Sequence, residues 1–123
     1  VNTVLCLDTL EHVEYPRRAM EEMQRVLRPG GTLIISSVFE FPIHGHPNDF
    51  WRFTPEGFRS LLSIFPASFV ASYGRSIESP QSVVGVGFNG PEPDLAAFRD
   101  AMTYWSRRYS NILKKLSEAP RND

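Results

Sequence analysis

The amino-acid sequence predicts a three-layer α/β fold with a mixed sheet and a long C-terminal helix. Two short runs, Val4 to Leu7 and Thr32 to Ser37, are continuously apolar or β-branched at their centres, which is typical of strands buried on both faces. A helical pattern lies between them, so the three segments form a strand-helix-strand unit. A second, longer helical pattern occupies the C-terminal end of the chain.

Composition places the chain among globular proteins with one domain. Its 123 residues are 41% hydrophobic and 22% charged, and the formal net charge is -1. This balance excludes the broad basic surface of a dedicated nucleic-acid or anionic-membrane binder. The single cysteine, Cys6, cannot form an internal disulfide, and no apolar run approaches the ~20 residues that span a bilayer. We therefore expect a soluble, cytoplasmic protein without a membrane partner.

The helix between the two strands starts near Pro16, a residue favoured in the first turn of a helix. Its apolar residues recur at helical spacing, at Ala19, Met20, Met23, Val26 and Leu27. Pro29-Gly30-Gly31 ends the helix, because proline fixes one backbone dihedral and glycine tolerates positive ones. Residues 38–53 then show neither the helical nor the strand periodicity of apolar residues. This predicts a long irregular loop of the kind that often carries function.

Thr54-Pro55-Glu56 predicts the start of the next helix, with threonine as the N-cap and glutamate near the positive end of the helix dipole. Its apolar stripe consists of Phe58, Leu61, Leu62 and Phe65. Phe69 to Tyr73 and Ser82 to Phe88 predict two strands in a hairpin-like pair. Gly85 and Gly87 weaken the pattern of the second strand.

The last helix is predicted to start after Asp94, a favourable N-cap. Its apolar residues form a heptad seam, at Leu95, Phe98, Met102, Trp105, Tyr109, Ile112 and Leu116. The helix could pack on its own domain, or on a second chain or another part of the protein. Because this seam and the Val4 strand both present apolar surface, we expect a homodimer in which one or both cross to the second copy.

One stretch resembles a known enzyme family. It reads Val4-Leu-Cys-Leu-Asp8-Thr-Leu-Glu11-His12-Val13, then Pro16, then Arg25-Val-Leu-Arg-Pro-Gly-Gly31-Thr-Leu-Ile-Ile. This pattern is similar to the fourth strand, the following helix and the fifth strand of class I S-adenosylmethionine-dependent methyltransferases. The loop from Pro47 to Gly57 is similar to a substrate-side segment in one branch of these enzymes. The resemblance covers residues 1 to about 90 and is closest over residues 3–37.

The resemblance implies a Rossmann-like methyltransferase fragment, with residues 1–90 as part of the domain and residues 91–123 as its C-terminal helix and tail. It also implies S-adenosylmethionine as cofactor and a small-molecule or sugar-like acceptor for the intact protein. The chain starts at Val1 without an initiating methionine, and it lacks the glycine-rich turn and the acidic residue that hold the cofactor. We therefore interpret it as the acceptor-side half of a longer protein, inactive alone and without tight cofactor binding.

Two residues after the first strand are the candidate catalytic groups, Asp8 and His12. The resemblance places the main chain of Leu7 and the Asp8 carboxylate beside the methionine portion of the cofactor. The His12 imidazole suits general-base work near neutral pH. Each has a structural alternative, since Asp8 could cap the turn and His12 could hydrogen-bond the loop. Glu11 follows within the same helical turn and is a candidate substrate-binding residue.

The irregular loop supplies the other candidate substrate-binding residues, which are His44, Asp49, Trp51 and Arg52. Trp51 could form an apolar wall, and Arg52 could bind a carboxylate or phosphate. Asp49 and Arg52 could equally pair with each other. Loops that follow parallel neighbouring strands leave the sheet at the same end. We therefore expect one crevice to contain Asp8, His12, Asp49 and Trp51.

Other classes of function are less well supported by the sequence. His44, His46 and Asp49 offer nitrogen and carboxylate ligands for a metal ion. A metal site is nevertheless disfavoured by their spacing and by the lack of a further ligand cluster in the sequence. Nucleic-acid methylation is disfavoured by the net charge, although the last helix carries a small basic cluster. A non-catalytic self-association module is the remaining alternative.

Overall fold

A computed structural model describes residues 1–118 of the chain. The four strands are β1 (Thr3–Leu7), β2 (Thr32–Val38), β3 (Ala67–Gly74) and β4 (Pro80–Phe88). The three α-helices are α1 (Pro16–Val26), α2 (Pro55–Leu62) and α3 (Ala96–Glu118), and a short 3-10 helix spans Leu10–His12. The predicted tail beyond α3 lies outside the described residues. None of the described helices is long and apolar enough to cross a membrane.

The strands form one mixed sheet in the order β1-β2-β4-β3. β1 and β2 are parallel, joined by α1 as the strand-helix-strand pattern predicts, and Leu7 lies opposite Ser36 at their carboxyl ends. β4 is antiparallel to both β2 and β3. The predicted α/β fold with a mixed sheet and a long C-terminal helix is confirmed. Its parallel pair directs two loops to one edge of the sheet.

The main core lies between one face of the sheet and helices α1 and α2. Alternate residues of β2 and β4 point into it, and the largest fully buried side chains there include Leu33, Ile35, Val83 and Phe58. The sequence suggested that glycines weaken β4, but the structure gives them a packing role. A Cβ on Gly85 would lie 2.7 Å from the Leu62 side chain. This glycine lets α2 approach the sheet closely.

The first strand is buried on one face only, which differs from the prediction. Val4 and Cys6 pack against the core, and burial raises the pKa of the Cys6 thiol, in agreement with its predicted role as a small apolar residue. Leu5 and Leu7 point the other way and are exposed. The reason is that α3, on that second face, packs mainly against β3.

Helix α3 covers the second face of the sheet through part of its predicted seam. Asp94 caps it as expected, since its Oδ1 accepts a hydrogen bond from the Ala96 N–H at 3.0 Å. Two aromatic pairs hold it against β3, Phe98 with Phe69 and Tyr109 with Tyr73, at centroid distances of 5.4 and 5.1 Å. No described residue of α3 is fully buried, and Phe98, Trp105, Ile112 and Leu116 are exposed.

Candidate active site

The segments that follow β1 and β2 meet at the carboxyl ends of these two strands, and we call this region the candidate crevice. Asp8 follows β1 in a left-handed conformation with φ 45°, which a residue other than glycine seldom adopts. Its N–H donates to the Ser36 carbonyl at 3.0 Å, and the Ser36 hydroxyl donates to Asp8 Oδ1 at 2.8 Å. These bonds hold the carboxylate at the sheet edge while the residue stays exposed. The turn is thus structurally fixed, and its acidic group still faces solvent.

Glu11 lies on the 3-10 helix with its side chain only 1% exposed. The Ser37 hydroxyl donates to Glu11 Oε2 at 2.5 Å. Glu11 Oε1 has no hydrogen-bond partner among the described residues, although a buried carboxylate oxygen without one is costly. The predicted acceptor-binding carboxylate is therefore a buried group that points into a cluster of side chains, not into the open crevice.

Two histidines face the free oxygen of Glu11. His12 Nε2 lies 3.9 Å and His44 Nε2 lies 3.8 Å from Glu11 Oε1. The two Nε2 atoms are 3.1 Å apart. On their other sides, His12 Nδ1 lies 2.6 Å from the Asn48 carbonyl oxygen and His44 Nδ1 lies 3.1 Å from the Pro42 carbonyl oxygen. We call these three residues, Glu11, His12 and His44, the Glu-His-His cluster.

The irregular loop reaches this cluster because an arginine holds it in shape. Arg52 donates from two nitrogens to the two Asp49 carboxylate oxygens at 2.6 and 2.9 Å, and it also donates to the carbonyls of Phe41, Pro42 and Trp51. Asp49 in turn accepts from the His44 N–H at 2.8 Å. These hydrogen bonds hold the pKa of the Asp49 carboxyl well below its usual range. The bonds from Arg52 have the largest effect, and the bond from the His44 N–H has the next largest.

The structure brings the segment after β1 and the loop after β2 together at one edge of the sheet. Asp8, His12 and Trp51 lie near the carboxyl ends of the parallel strands, and the Trp51 indole N–H donates to the Val13 carbonyl at 3.0 Å while 44% of the residue stays exposed. The alternative role of Asp49, as the ion-pair partner of Arg52, is the one seen. His46 is exposed and is not part of the cluster. The binding and catalytic roles of the crevice residues remain predictions.

Sequence reasoning missed two supporting residues. Ser37, at the buried end of β2, holds Glu11, and Gly45 has a φ of 60° and lies against the His12 ring. A Cβ on Gly45 would meet His12 Cε1 at 2.8 Å. For Gly45, the only sequence signal was its position between two histidines in a predicted loop.

Arg52→Lys is expected to open the loop without unfolding the protein, because lysine cannot reproduce the planar set of hydrogen bonds. The Phe50 and Trp51 N–H groups donate to the Glu11 carbonyl, and they report on loop closure. Their hydrogen exchange should become roughly 10 to 100 times faster, from the loss of charged hydrogen bonds. Arg59→Lys is the matched control, since Arg59 pairs with Glu56 on the surface. Equal exchange rates in both variants would contradict the role of Arg52.

The fold is part of an open α/β sheet, a class of fold in which ligands bind at the carboxyl ends of parallel strands. A family model described as "Methyltransferase domain" matches residues 1–35. The chain is also similar to a solved structure, the complex between the Haloferax volcanii Trm112 methyltransferase activator and a protein described as a methyltransferase. That likeness has a TM-score of 0.54 and 15% identity, and it covers 76% of this chain and 55% of that one. No curated protein matches the chain.

The match to the methyltransferase family model confirms the resemblance seen in residues 3–37. The structural likeness, at this low identity, shows the fold. The chain spans about half the length of the solved chain that it matches.

The predicted homodimer with a small-molecule acceptor is wrong. In the similar solved structure the methyltransferase is assembled with a different protein, the Trm112 activator. One physical premise of the prediction also fails, because part of the α3 seam is already used within the chain. Phe98 and Tyr109 pack on β3, and Tyr109 donates to Gln81 Oε1 at 2.5 Å.

Proposed function

We propose that the full-length protein transfers a methyl group from S-adenosylmethionine to an acceptor bound at the carboxyl ends of β1 and β2. The observation that carries the proposal is the position of Asp8, an exposed carboxylate that directly follows β1 within the segment, residues 1–35, that matches a methyltransferase domain. Transfer from a sulfonium is an in-line displacement, so the protein acts mainly by aligning the acceptor with the methyl group. Residues 1–90 serve as part of that domain.

Asp8 is the better candidate for direct contact with the reactants. Its carboxylate is fixed by the Ser36 hydroxyl through one oxygen, and the main chain of Leu7 precedes it at the strand end. Such a carboxylate can bind the ammonium group of the cofactor's methionine portion or the proton of an acceptor. Trp51, which is exposed and bonded to the Val13 carbonyl, offers an apolar wall for the bound molecules.

His12 acts as a positioning residue in this proposal. Both of its ring nitrogens already have neighbours, the Asn48 carbonyl at 2.6 Å and His44 Nε2 at 3.1 Å. Such an engaged imidazole orders the crevice and is poorly placed to take a proton from an acceptor. The buried Glu11 and the Asp49–Arg52 pair support the crevice in the same way.

Asp8→Asn in the full-length protein tests the proposal. Asparagine keeps an oxygen that can accept from Ser36 but removes the charge, so we expect kcat/KM to fall by roughly 10 to 100-fold, as for the loss of a charged hydrogen bond. Methyl transfer from labelled S-adenosylmethionine and calorimetric cofactor binding are the measurements. Glu14→Gln, at an exposed position close by, is the control and should change neither. Unchanged binding and transfer in Asp8→Asn would refute the role of this residue.

A further inference from the structure

We propose that the Glu-His-His cluster binds a divalent transition metal ion through Glu11 Oε1, His12 Nε2 and His44 Nε2. The three atoms converge in one small space. This ligand set differs from the one that the sequence offered, because Glu11 and His12 replace His46 and Asp49. The inference is independent of methyl transfer and requires only the side chains described above.

The hydrogen bonds behind the histidines decide which ring nitrogen is free. A carbonyl oxygen can only accept, so the bonds to Asn48 and Pro42 require a proton on Nδ1 of both His12 and His44. In the neutral imidazole the remaining nitrogen, Nε2, then carries a lone pair. A histidine that binds a metal through one ring nitrogen usually donates the N–H of its other ring nitrogen to a backbone carbonyl or a carboxylate, as both rings do here.

When both imidazoles are neutral, the consequence is a cluster of acceptors without a donor. Two Nε2 lone pairs face each other at 3.1 Å, and the Glu11 carboxylate oxygen that faces them has no partner among the described residues. The carboxylate is buried, and its other oxygen is held by Ser37. Such an arrangement is repulsive unless a cation lies between the three atoms. A metal ion satisfies all three at once.

The distances fit an ion of the expected size. A triangle with sides of 3.9, 3.8 and 3.1 Å has a circumscribed circle with a radius of about 2.1 Å. A single point therefore lies at the bond length that zinc makes to histidine nitrogen and carboxylate oxygen. If both rings point at it, their centroids should lie about 4.8 Å apart. The observed separation is 4.7 Å.

The donor set and its exposure define the kind of metal. Two imidazoles and one carboxylate suit zinc and other first-row divalent ions, and they disfavour calcium, which takes oxygen ligands. The side chains of His12 and His44 are 28% and 33% exposed, whereas Glu11 is buried. Positions on the histidine side are therefore open to water or a ligand, as in catalytic and not in closed structural sites.

Zinc titration of the purified, chelator-treated full-length protein tests the site. We expect one zinc ion per chain by calorimetry and by metal analysis after dialysis. Glu11→Gln keeps the shape and an oxygen for Ser37, and His44→Gln removes a partly exposed ligand. Both should weaken zinc binding by more than the roughly 10 to 100-fold seen for changes in an outer shell. Ser37→Ala should weaken it within that range.

His46→Gln is the matched control, because His46 is exposed and lies in the same loop. It should bind zinc as tightly as the natural protein. Absence of zinc binding in the natural protein, or equal losses in the His44 and His46 variants, would overturn the proposal and indicate a proton shared by the two Nε2 atoms. Thermal unfolding of each zinc-free variant shows whether it is folded, and His44→Gln decides the outcome if Glu11→Gln does not fold. The Asp8 test of methyl transfer is unaffected by whether the cluster binds zinc or does not.

Discussion

Phe58→Ala is expected to lower the free energy of unfolding by about 3–5 kcal/mol, the usual cost of removing a large aromatic side chain from a core. Phe58 is fully buried, and it packs with Phe53 at a centroid distance of 5.4 Å. The cavity would lie where α2 meets the strands of the main core, and the tight contact at Gly85 limits how far α2 can settle into it. Such a loss is a large part of the total stability of a typical domain.

Denaturant unfolding followed by far-UV circular dichroism measures this effect. Phe50→Ala is the matched control, because it removes the same side chain from a position that is 43% exposed. We expect that variant to lose no more than about 1 kcal/mol. If both variants lost equal stability, the core between α2 and the sheet would not be the main source of stability.

Gly45→Ala is expected to lower the free energy of unfolding by about 2–5 kcal/mol and to displace the His12 ring. Two costs add at this position. The backbone has a φ of 60°, and a left-handed conformation costs an alanine about 1–2 kcal/mol. The new Cβ would also lie 2.8 Å from His12 Cε1, and overpacking of this kind costs about 1–3 kcal/mol.

Gly30→Ala separates the two costs. Gly30 has a comparable φ of 77°, but a Cβ there has no atom within 4 Å, so only the backbone cost of about 1–2 kcal/mol should appear. The NMR signals of the His12 ring report the displacement directly, and they should shift in Gly45→Ala and not in Gly30→Ala. Equal stability losses with an unmoved His12 ring would show that Gly45 serves the loop turn alone.

Much of this fold could be predicted because its signals are local. Continuous apolar runs mark the parallel strands, and a threonine and an aspartate mark the starts of α2 and α3. Thr54 does accept the Gly57 N–H at 3.0 Å, and Asp94 caps α3. Pro29-Gly30-Gly31 marks the turn into β2, where Gly30 has positive φ. Each of these elements depends on neighbouring residues, and their periodicity is visible in the amino-acid order.

The meeting of the two loops at one edge of the sheet was also predictable, from topology alone. Two parallel neighbouring strands send their following loops to the same edge of the sheet. The segment with Asp8 and His12 therefore had to lie beside the loop with Asp49 and Trp51. What the pattern could not show is which side chains turn inward. Glu11 was expected to face an acceptor, yet it is buried against Ser37.

The choice between His44 and His46 required the tertiary structure. Their spacing and chemistry are alike in the sequence, but only His44 reaches the buried carboxylate of Glu11. That contact joins residues far apart in the chain, and it depends on the path of a loop without periodicity. The positive φ of Gly45 and the hydrogen bonds of Arg52 to four residues set that path. Long-range contacts of this kind leave no repeating signal, so packing of the folded chain alone decides them.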